Sequence, residues 1–411
     1  MRSLAPFALL LLLAVPANAA DWLMVVGTEE GRPEVALKPF GFLQLSAESL
    51  LFASPVTGLE SDALADFDGK MALFNDLEEP VELSIRRARF GMRGSIPGTS
   101  RRVSYLVSLE AGMNAATRDT GVVLMDASVT LSFIPGLRLR VGQMKLPTMD
   151  EAIEVNPIAH NSVRFSPLVT QLLLEQPVVA GKLAGPAYAL RDIGVMGFDS
   201  LLFFEDRLQL SYAVMVSQGR KGGLDIDAHK DLTGRVQLSW LPEGKPYAPF
   251  RKEVSAFAWA SGGGRVVDGQ DVLRARAGVG AFVHFHPVRA RLEVVGAQGA
   301  LFMPPAFEGQ PYRVIRDGTA FGWAFDASVD VIGPLSLSFG VDELYRQWQV
   351  PAEARLLRSV GVGAELELSK NTRLVVDYTF RDLEAPWASA DAKRIAATMG
   401  DVLSAQLTVT F

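Results

Sequence analysis

Two neighbouring stretches decide the fold: ELSIRRARFGMRGSIPGTSRRVSYLVSLEAGMN (Glu82–Asn114) and VVLMDASVTLSFIPGLRLRVGQMKLP (Val122–Pro147). They read as four consecutive β-strands, with Pro97-Gly98 and Pro135-Gly136 marking tight turns. Val103, Tyr105, Val107, Leu109, Ala111 and Met113 alternate with Arg102, Ser104, Ser108, Glu110 and Gly112, Leu106 being the exception. Val123, Met125, Ala127, Val129, Leu131 and Phe133 alternate in the same way with Asp126, Ser128, Thr130 and Ser132. Successive side chains on a strand point to opposite faces, so each strand has one apolar and one polar face. A strand tilted across a bilayer needs about 9–11 residues, and these have that length.

The same rhythm continues through the chain. It predicts strands at 37–49, 191–203, 207–218, 231–241, 251–261, 271–286, 288–301, 319–331, 335–345, 355–368, 372–383 and 401–411, making sixteen with the first four. Short and long connections alternate, as in an up-and-down barrel with short periplasmic turns and long outer loops. The predicted fold is therefore all-β, a closed antiparallel transmembrane barrel over 37–411 with both termini on the periplasmic side. A soluble barrel or sandwich would show the same alternation, with its apolar faces packed inward. Strand length, strand number, loop rhythm and the aromatic C-terminus favour the membrane. The longest break, 148–189, carries an apolar run at Leu168–Leu174 with the length of one short helix.

Residues 1–19 have the pattern of a secretory signal: Arg2, an apolar run at Ala8–Val15, then Pro16 and Ala17-Asn18-Ala19. Cleavage leaves a polar lead-in at 20–36 and 39 basic against 46 acidic side chains, a net charge of −7. That balance argues against a nucleic-acid-binding surface. The chain has no cysteine, so thiol chemistry is excluded. Export to the outer membrane of a Gram-negative-type bacterium, in contact with outer-membrane lipid, is the expected localisation.

A barrel of sixteen strands leaves an aqueous lumen. The polar faces assign Arg102, Arg138, Arg140, Arg235, Arg274, Arg276, Arg289, Arg291, Arg358, Arg373 and Arg381 to that lumen. Glu110, Asp126, Glu293, Asp326, Asp330, Glu365, Glu367 and Asp377 fall on the same faces. Such charges pair across strands, and a basic ladder of Arg138, Arg140, Arg274 and Arg276 is one arrangement they allow. The run Arg86-Arg87-Ala88-Arg89 breaks strict alternation, which predicts a bulge. Within 148–189, Asp150, Glu151, Glu154, His160, Arg164 and Glu175 are the candidates for a narrowing. Tyr105, Tyr212, Trp240, Phe321, Trp323 and Tyr378 suit interfacial aromatic belts. An enzyme is the rival class, with only four histidines (His160, His229, His284, His286). His284 and His286 sit two apart on one strand face, a spacing that could bind a metal, but no carboxylate or cysteine spacing supports it. No Gly-x-Ser-x-Gly elbow or phosphate-cradling motif occurs. The function predicted is passive diffusion of small hydrophilic solutes or anions, without a cofactor. A barrel with a plugged lumen, acting as a receptor, structural protein or enzyme, is the alternative.

The organising stretch also resembles the phosphate-selective porin O and P family. The matching pieces are Ile85–Gly94 (IRRARFGMRG), Asp126-Ala127 and Leu139–Pro147 (LRVGQMKLP), with weaker echoes at Arg191–Val195 and Lys230–Arg235. Phe411 is similar to the terminal signature that such barrels present to the barrel-insertion machinery. The resemblance implies a sixteen-stranded outer-membrane porin, often a homotrimer, that passes anions such as phosphate. It also implies a third outer loop folded into the pore, and 148–189 occupies that loop's place.

Overall fold

The structure is a computed structural model that describes residues 35–53, 80–114, 117, 121–154, 162–175, 178–179, 182–183, 190–219, 229–244, 251–303 and 313–411. The signal pattern at 1–19 and most of the lead-in at 20–36 lie outside the described residues. The strands are β1 (Lys38–Leu51), β2 (Val81–Ser95), β3 (Val103–Ala111), β4 (Val122–Ile134), β5 (Leu137–Lys145), β6 (Val178–Val179), β7 (Lys182–Leu183), β8 (Arg191–Phe203), β9 (Leu208–Ser217), β10 (Asp231–Trp240), β11 (Glu253–Val267), β12 (Gln270–Phe285), β13 (Val288–Met303), β14 (Arg313–Ile332), β15 (Leu335–Arg346), β16 (Arg355–Ser369), β17 (Thr372–Glu384) and β18 (Asp401–Thr410). β6 and β7 pair only with each other, and the other sixteen form one closed barrel in which every neighbour is antiparallel. Closure comes from β1 against β18, in register from Phe42↔Thr410 to Leu51↔Asp401. Gly41 and Phe411 extend that seam by exchanging two backbone hydrogen bonds of 3.0 Å.

The faces are inverted relative to a soluble protein, which decides between the two readings of the alternation. Val107, Leu109, Val214, Leu232, Val279 and Phe380 point outward and are exposed, whereas Ser108, Glu110, Gln209, Ser211 and Ser404 point inward and are buried. Exposed apolar side chains recur on strand after strand, a continuous apolar belt that water would not tolerate on a monomer. Lipid accepts it, and closure satisfies the backbone groups that an open edge would leave bare in hydrocarbon.

Three details differ from the sequence reading. Ser108 pairs with Asp126 but Leu109 pairs with Leu124, so Met125 is an extra residue on β4. This bulge puts Val122 and Leu124 on the outer face and leaves Val123 opposite the inward Glu110. On the long-loop side, β11 and β12 join through Asp268-Gly269 alone, both at positive φ (52° and 74°), the geometry of a two-residue hairpin turn. The long connection expected there is absent because the strands run on, β14 likewise beginning at Arg313 instead of Thr319. Arg358 belongs to the outer face, on the parity of Val360 and Val362, and pairs with Glu343 at 2.8 Å and Glu384 at 2.5 Å.

Candidate functional site inside the barrel

After β5 the chain turns into the barrel instead of over its rim. Leu146 N donates to Leu190 O, and Lys145 Nζ donates to Ile153 O at 2.7 Å. The short helix α1 (Asp150–Glu154) then meets the inner faces of β10 and β13. Arg235 donates to Thr148 O at 2.8 Å and to Asp150 Oδ1 at 2.7 Å. Asp150 N donates to Glu293 Oε2 at 3.0 Å, and Trp259 Nε1 donates to Glu293 Oε1 at 2.7 Å. Glu151 accepts from Ser166 N at 2.7 Å and from the Ser166 hydroxyl, closing the segment on itself.

The segment then reaches the opposite sector of the wall. Val163 N donates to Asp377 Oδ2 of β17 at 2.8 Å, and Arg164 lies 3.5 Å from Glu48 of β1. Phe165 lies under the Arg87 guanidinium of β2, 5.7 Å from its centroid. The return runs along β11 and β12. Arg276 Nε donates to Leu172 O at 2.9 Å, and Glu175 binds both Arg265, at 3.0 Å, and Arg274. Arg265 also forks onto both carboxylate oxygens of Asp231 at 2.8 Å. One segment therefore crosses the barrel and is held at two opposite sectors of the wall, β10–β13 on one side and β17, β1 and β2 on the other.

Apolar packing holds it as well. A helical turn at Val169–Leu173 takes the place expected for a short helix at Leu168–Leu174. Met149, Leu168, Val169, Leu172 and Leu173 are buried against Phe257, Trp259, Phe282, Val295, Leu344, Leu357 and Leu383 on the inner faces of β11–β17. Ile395 and Ala392 of α2 (Ala390–Ala396), in the β17–β18 connection, join the same cluster. Here the inner wall is apolar because it has a partner other than water.

The other sector, β1–β5 and β8, has a largely polar lining, interrupted by a buried apolar cluster at Met144, Met196 and Phe198. The predicted bulge is present on β2: Gln44 pairs with Arg87 and Leu45 with Ile85, so Arg86 is the extra residue. As a result Arg86, Arg87 and Arg89 all reach the interior. Arg86 pairs with Glu48, Arg87 donates to Gln44 Oε1 at 3.1 Å, and Arg89 donates to Glu110 Oε2 at 2.7 Å. Arg191 pairs with Asp126 at 3.0 Å, and Ser108 donates to Asp126 at 2.8 Å. Arg138 lies 3.3 Å from Asp199, while Arg140 donates to Thr130 at 2.9 Å and stacks over Phe198 at 4.6 Å. Cation–aromatic contacts recur at Arg89 over Phe42 (5.2 Å) and Arg93 over Phe40 (4.9 Å). Stacking of this kind holds a guanidinium flat against a wall.

The sequence candidates thus separate into groups. Glu110, Asp126, Arg138 and Arg140 lie together in the arginine-rich sector. Arg235, Asp150 and Arg291 form the anchor at α1, with Arg291 3.7 Å from Asp150 and 2.5 Å from Asp326. Arg373 pairs with Glu365 at 2.9 Å, and Arg289 lies on the same inner face at β13, opposite His284. Arg164, Glu151 and Glu175 belong to the crossing segment. The side chain of Glu154 and the whole of His160 lie outside the described residues. Two expectations are corrected. Arg102 stands exposed in the β2–β3 turn, because β3 begins only at Val103. Arg138, Arg140, Arg274 and Arg276 do not form one ladder. Five strand-to-strand steps separate β5 from β12, and Arg274 and Arg276 are occupied by the crossing segment: Arg276 binds Leu172 O, Gln298 O and Ala300 O. Sequence reasoning missed Glu48, Arg191, Arg265 and Asp231. Glu48 stood on the polar face of its strand; the other three lie at or near strand ends, where face assignment is weakest. Among the described residues no cluster of histidines and carboxylates has the geometry of a metal site.

With this geometry established, comparison places the chain among known barrels. The family model for phosphate-selective porin O and P matches residues 61–156. No curated protein matches significantly. Among solved structures, the anion-selective porin from Comamonas acidovorans is similar with a TM-score of 0.57 at 13% identity, covering 92% of this chain and 99% of that one. OmpF of Salmonella typhi, in complex with daunomycin, gives 0.59 at 12% identity over 92% and 100%. The outer membrane channel DcaP of Acinetobacter baumannii gives 0.54 at 12% over 91% and 97%. At these identities the structural matches speak for the fold. Over residues 61–156 the chain is therefore similar to the phosphate-selective porin O and P family, and that stretch is part of a closed sixteen-stranded barrel of the porin fold.

Proposed function

We propose that the chain is a diffusion porin with a weak preference for anions, and that the segment 146–175 is its constriction. The observation that carries this reading is the crossing of a closed barrel by one anchored segment, which leaves an arginine-rich polar sector on β1–β5 and β8 facing it. Solute passes along that sector, and the apolar half under β11–β17 is filled. Arg86, Arg87, Arg89, Arg138, Arg140 and Arg191 supply the positive field there. Each has a carboxylate, amide or hydroxyl partner, so the field favours anions modestly and builds no dedicated phosphate cluster. Transport is passive and needs no cofactor. A homotrimer, implied by the family resemblance, belongs to the same reading, and light scattering of the detergent-solubilised protein checks it.

One observation favours a second reading, a barrel with a plugged lumen. The crossing segment is bonded at two opposite sectors of the wall and shares a buried core with α2, which is more support than a narrowing alone requires. Reversal potentials of the refolded protein in a planar bilayer under a KCl gradient separate the two. Discrete conductance steps with an anion-favouring potential support the porin. Steps without preference keep the channel and discard the anion preference, and silence from folded protein moves the assignment to the plug.

A further inference from the structure

We propose that Arg86, the residue inserted by the bulge in β2, sets the charge preference of the constriction; the inference rests on the channel reading above. Arg86 is supernumerary in the β1–β2 ladder. Gln44↔Arg87 and Leu45↔Ile85 are consecutive pairs on β1, and Arg86 has no counterpart between them. Without the bulge, one of two consecutive arginines would face lipid, where a charge is costly. With it, both side chains reach the interior, and the neighbours Ile85 and Phe90 still face outward.

The added side chain meets one carboxylate. Arg86 pairs with Glu48, which is 5% exposed on the inner face of β1. Arg164 of the crossing segment approaches the same carboxylate at 3.5 Å, and Asp377 holds the neighbouring Val163 N at 2.8 Å. Two arginines and two carboxylates therefore meet where the crossing segment reaches the wall, with charges that cancel. Their distribution gives Arg86 its role. Arg164 and Asp377 are tied to the crossing segment and its anchorage, while the Arg86 side chain pairs with Glu48 of the wall, and among the described residues its Nε meets no hydrogen-bond partner. Loss of Arg86 turns a neutral group into one of net −1 beside the solute path. Loss of Glu48 makes it net +1.

The register also provides an unusually clean test. Deletion of Arg86 joins Ile85 to Arg87, and these already pair with consecutive residues of β1, so no other β1–β2 pair has to shift. The experiment measures reversal potentials in a planar bilayer under a KCl gradient for full-length wild type, Arg86→Gln, the Arg86 deletion, Glu48→Gln and the double variant Arg86→Gln/Glu48→Gln. Folding is checked for each by the mobility of the unheated barrel on a denaturing gel. The expected result is a chloride-to-potassium permeability ratio about two- to five-fold lower for both Arg86 variants, the effect of one charge near a partly screened path. Glu48→Gln raises the ratio, and the double variant returns close to wild type. Folded, conducting Arg86→Gln and deletion variants with wild-type ratios overturn the proposal and leave the channel reading intact. Folded wild type that never conducts overturns both.

Discussion

Glu175 shows how much of the interior rests on single side chains. It binds Arg265 of β11 and Arg274 of β12, and it is the last described residue before the short β6–β7 ladder. Glu175→Gln removes the charge that both guanidiniums face. Loss of one partner from a buried ion pair costs about 3–5 kcal/mol. The crossing segment is then expected to open locally, and trypsin should cut after Arg164 at least ten-fold faster in the variant than in wild type, read as fragment appearance with the barrel still folded. Leu172→Ala acts on the same segment through packing, since Leu172 is 1% exposed within the shared core. Truncation of a buried leucine costs about 2–5 kcal/mol, so it should sensitise Arg164 to trypsin as well, without a change in charge. Unaltered cleavage in both variants would show that the anchors seen here do not control opening.

At the scale of elements, β-strand signals were legible wherever one face met lipid and the other met water. The alternation along Val103–Ala111 and Asp401–Thr410 sufficed. It was insufficient on β11–β13, where Phe257, Trp259, Phe282 and Val295 point inward and apolar residues such as Val254, Val279 and Leu292 point outward. Both faces are apolar there because the crossing segment covers the inner one, a partner more than eighty residues away in sequence. The β11–β12 turn was readable in principle from Asp268-Gly269, a dipeptide suited to two positive φ angles. Gly269 adopts φ +74°, so Gly269→Val forces a β-branched residue into left-handed backbone and costs about 1–2 kcal/mol. The refolding yield of this variant in detergent should fall, whereas Gly269→Asn should stay close to wild type. Replacement of 149–175 by a Gly/Ser linker of equal length tests the role of the segment as a whole. The proposed constriction predicts single-channel conductance several-fold higher and a weaker response to the charge variants of Arg86 and Glu48.

At the scale of the whole molecule, the barrel depends on one seam. Phe411 exchanges two backbone hydrogen bonds with Gly41, and a side chain at Gly41 would collide with the Phe411 ring. Gly41→Val is therefore expected to hinder closure, and deletion of Phe411 to remove two seam bonds. Both should lower the fraction of compact, fast-migrating barrel on an unheated gel, and an unchanged fraction would put closure elsewhere. By itself the sequence determined the number of barrel strands, the order of turns and loops except at β11–β12, the bulge at Arg86-Arg87 and the polar side of most strands. These follow from local rules: side chains alternate along a strand, and Pro-Gly and Asp-Gly pairs select tight turns. Only the tertiary structure decided that the apolar faces look outward, that Arg274 and Arg276 serve the crossing segment instead of a ladder with Arg138 and Arg140, and that Glu48 and Glu175 each gather two arginines. Those outcomes depend on which strands become neighbours on closure and on where a 45-residue connection (146–190) folds. Contacts at such sequence separations arise from packing and charge pairing in three dimensions, and no local pattern encodes them.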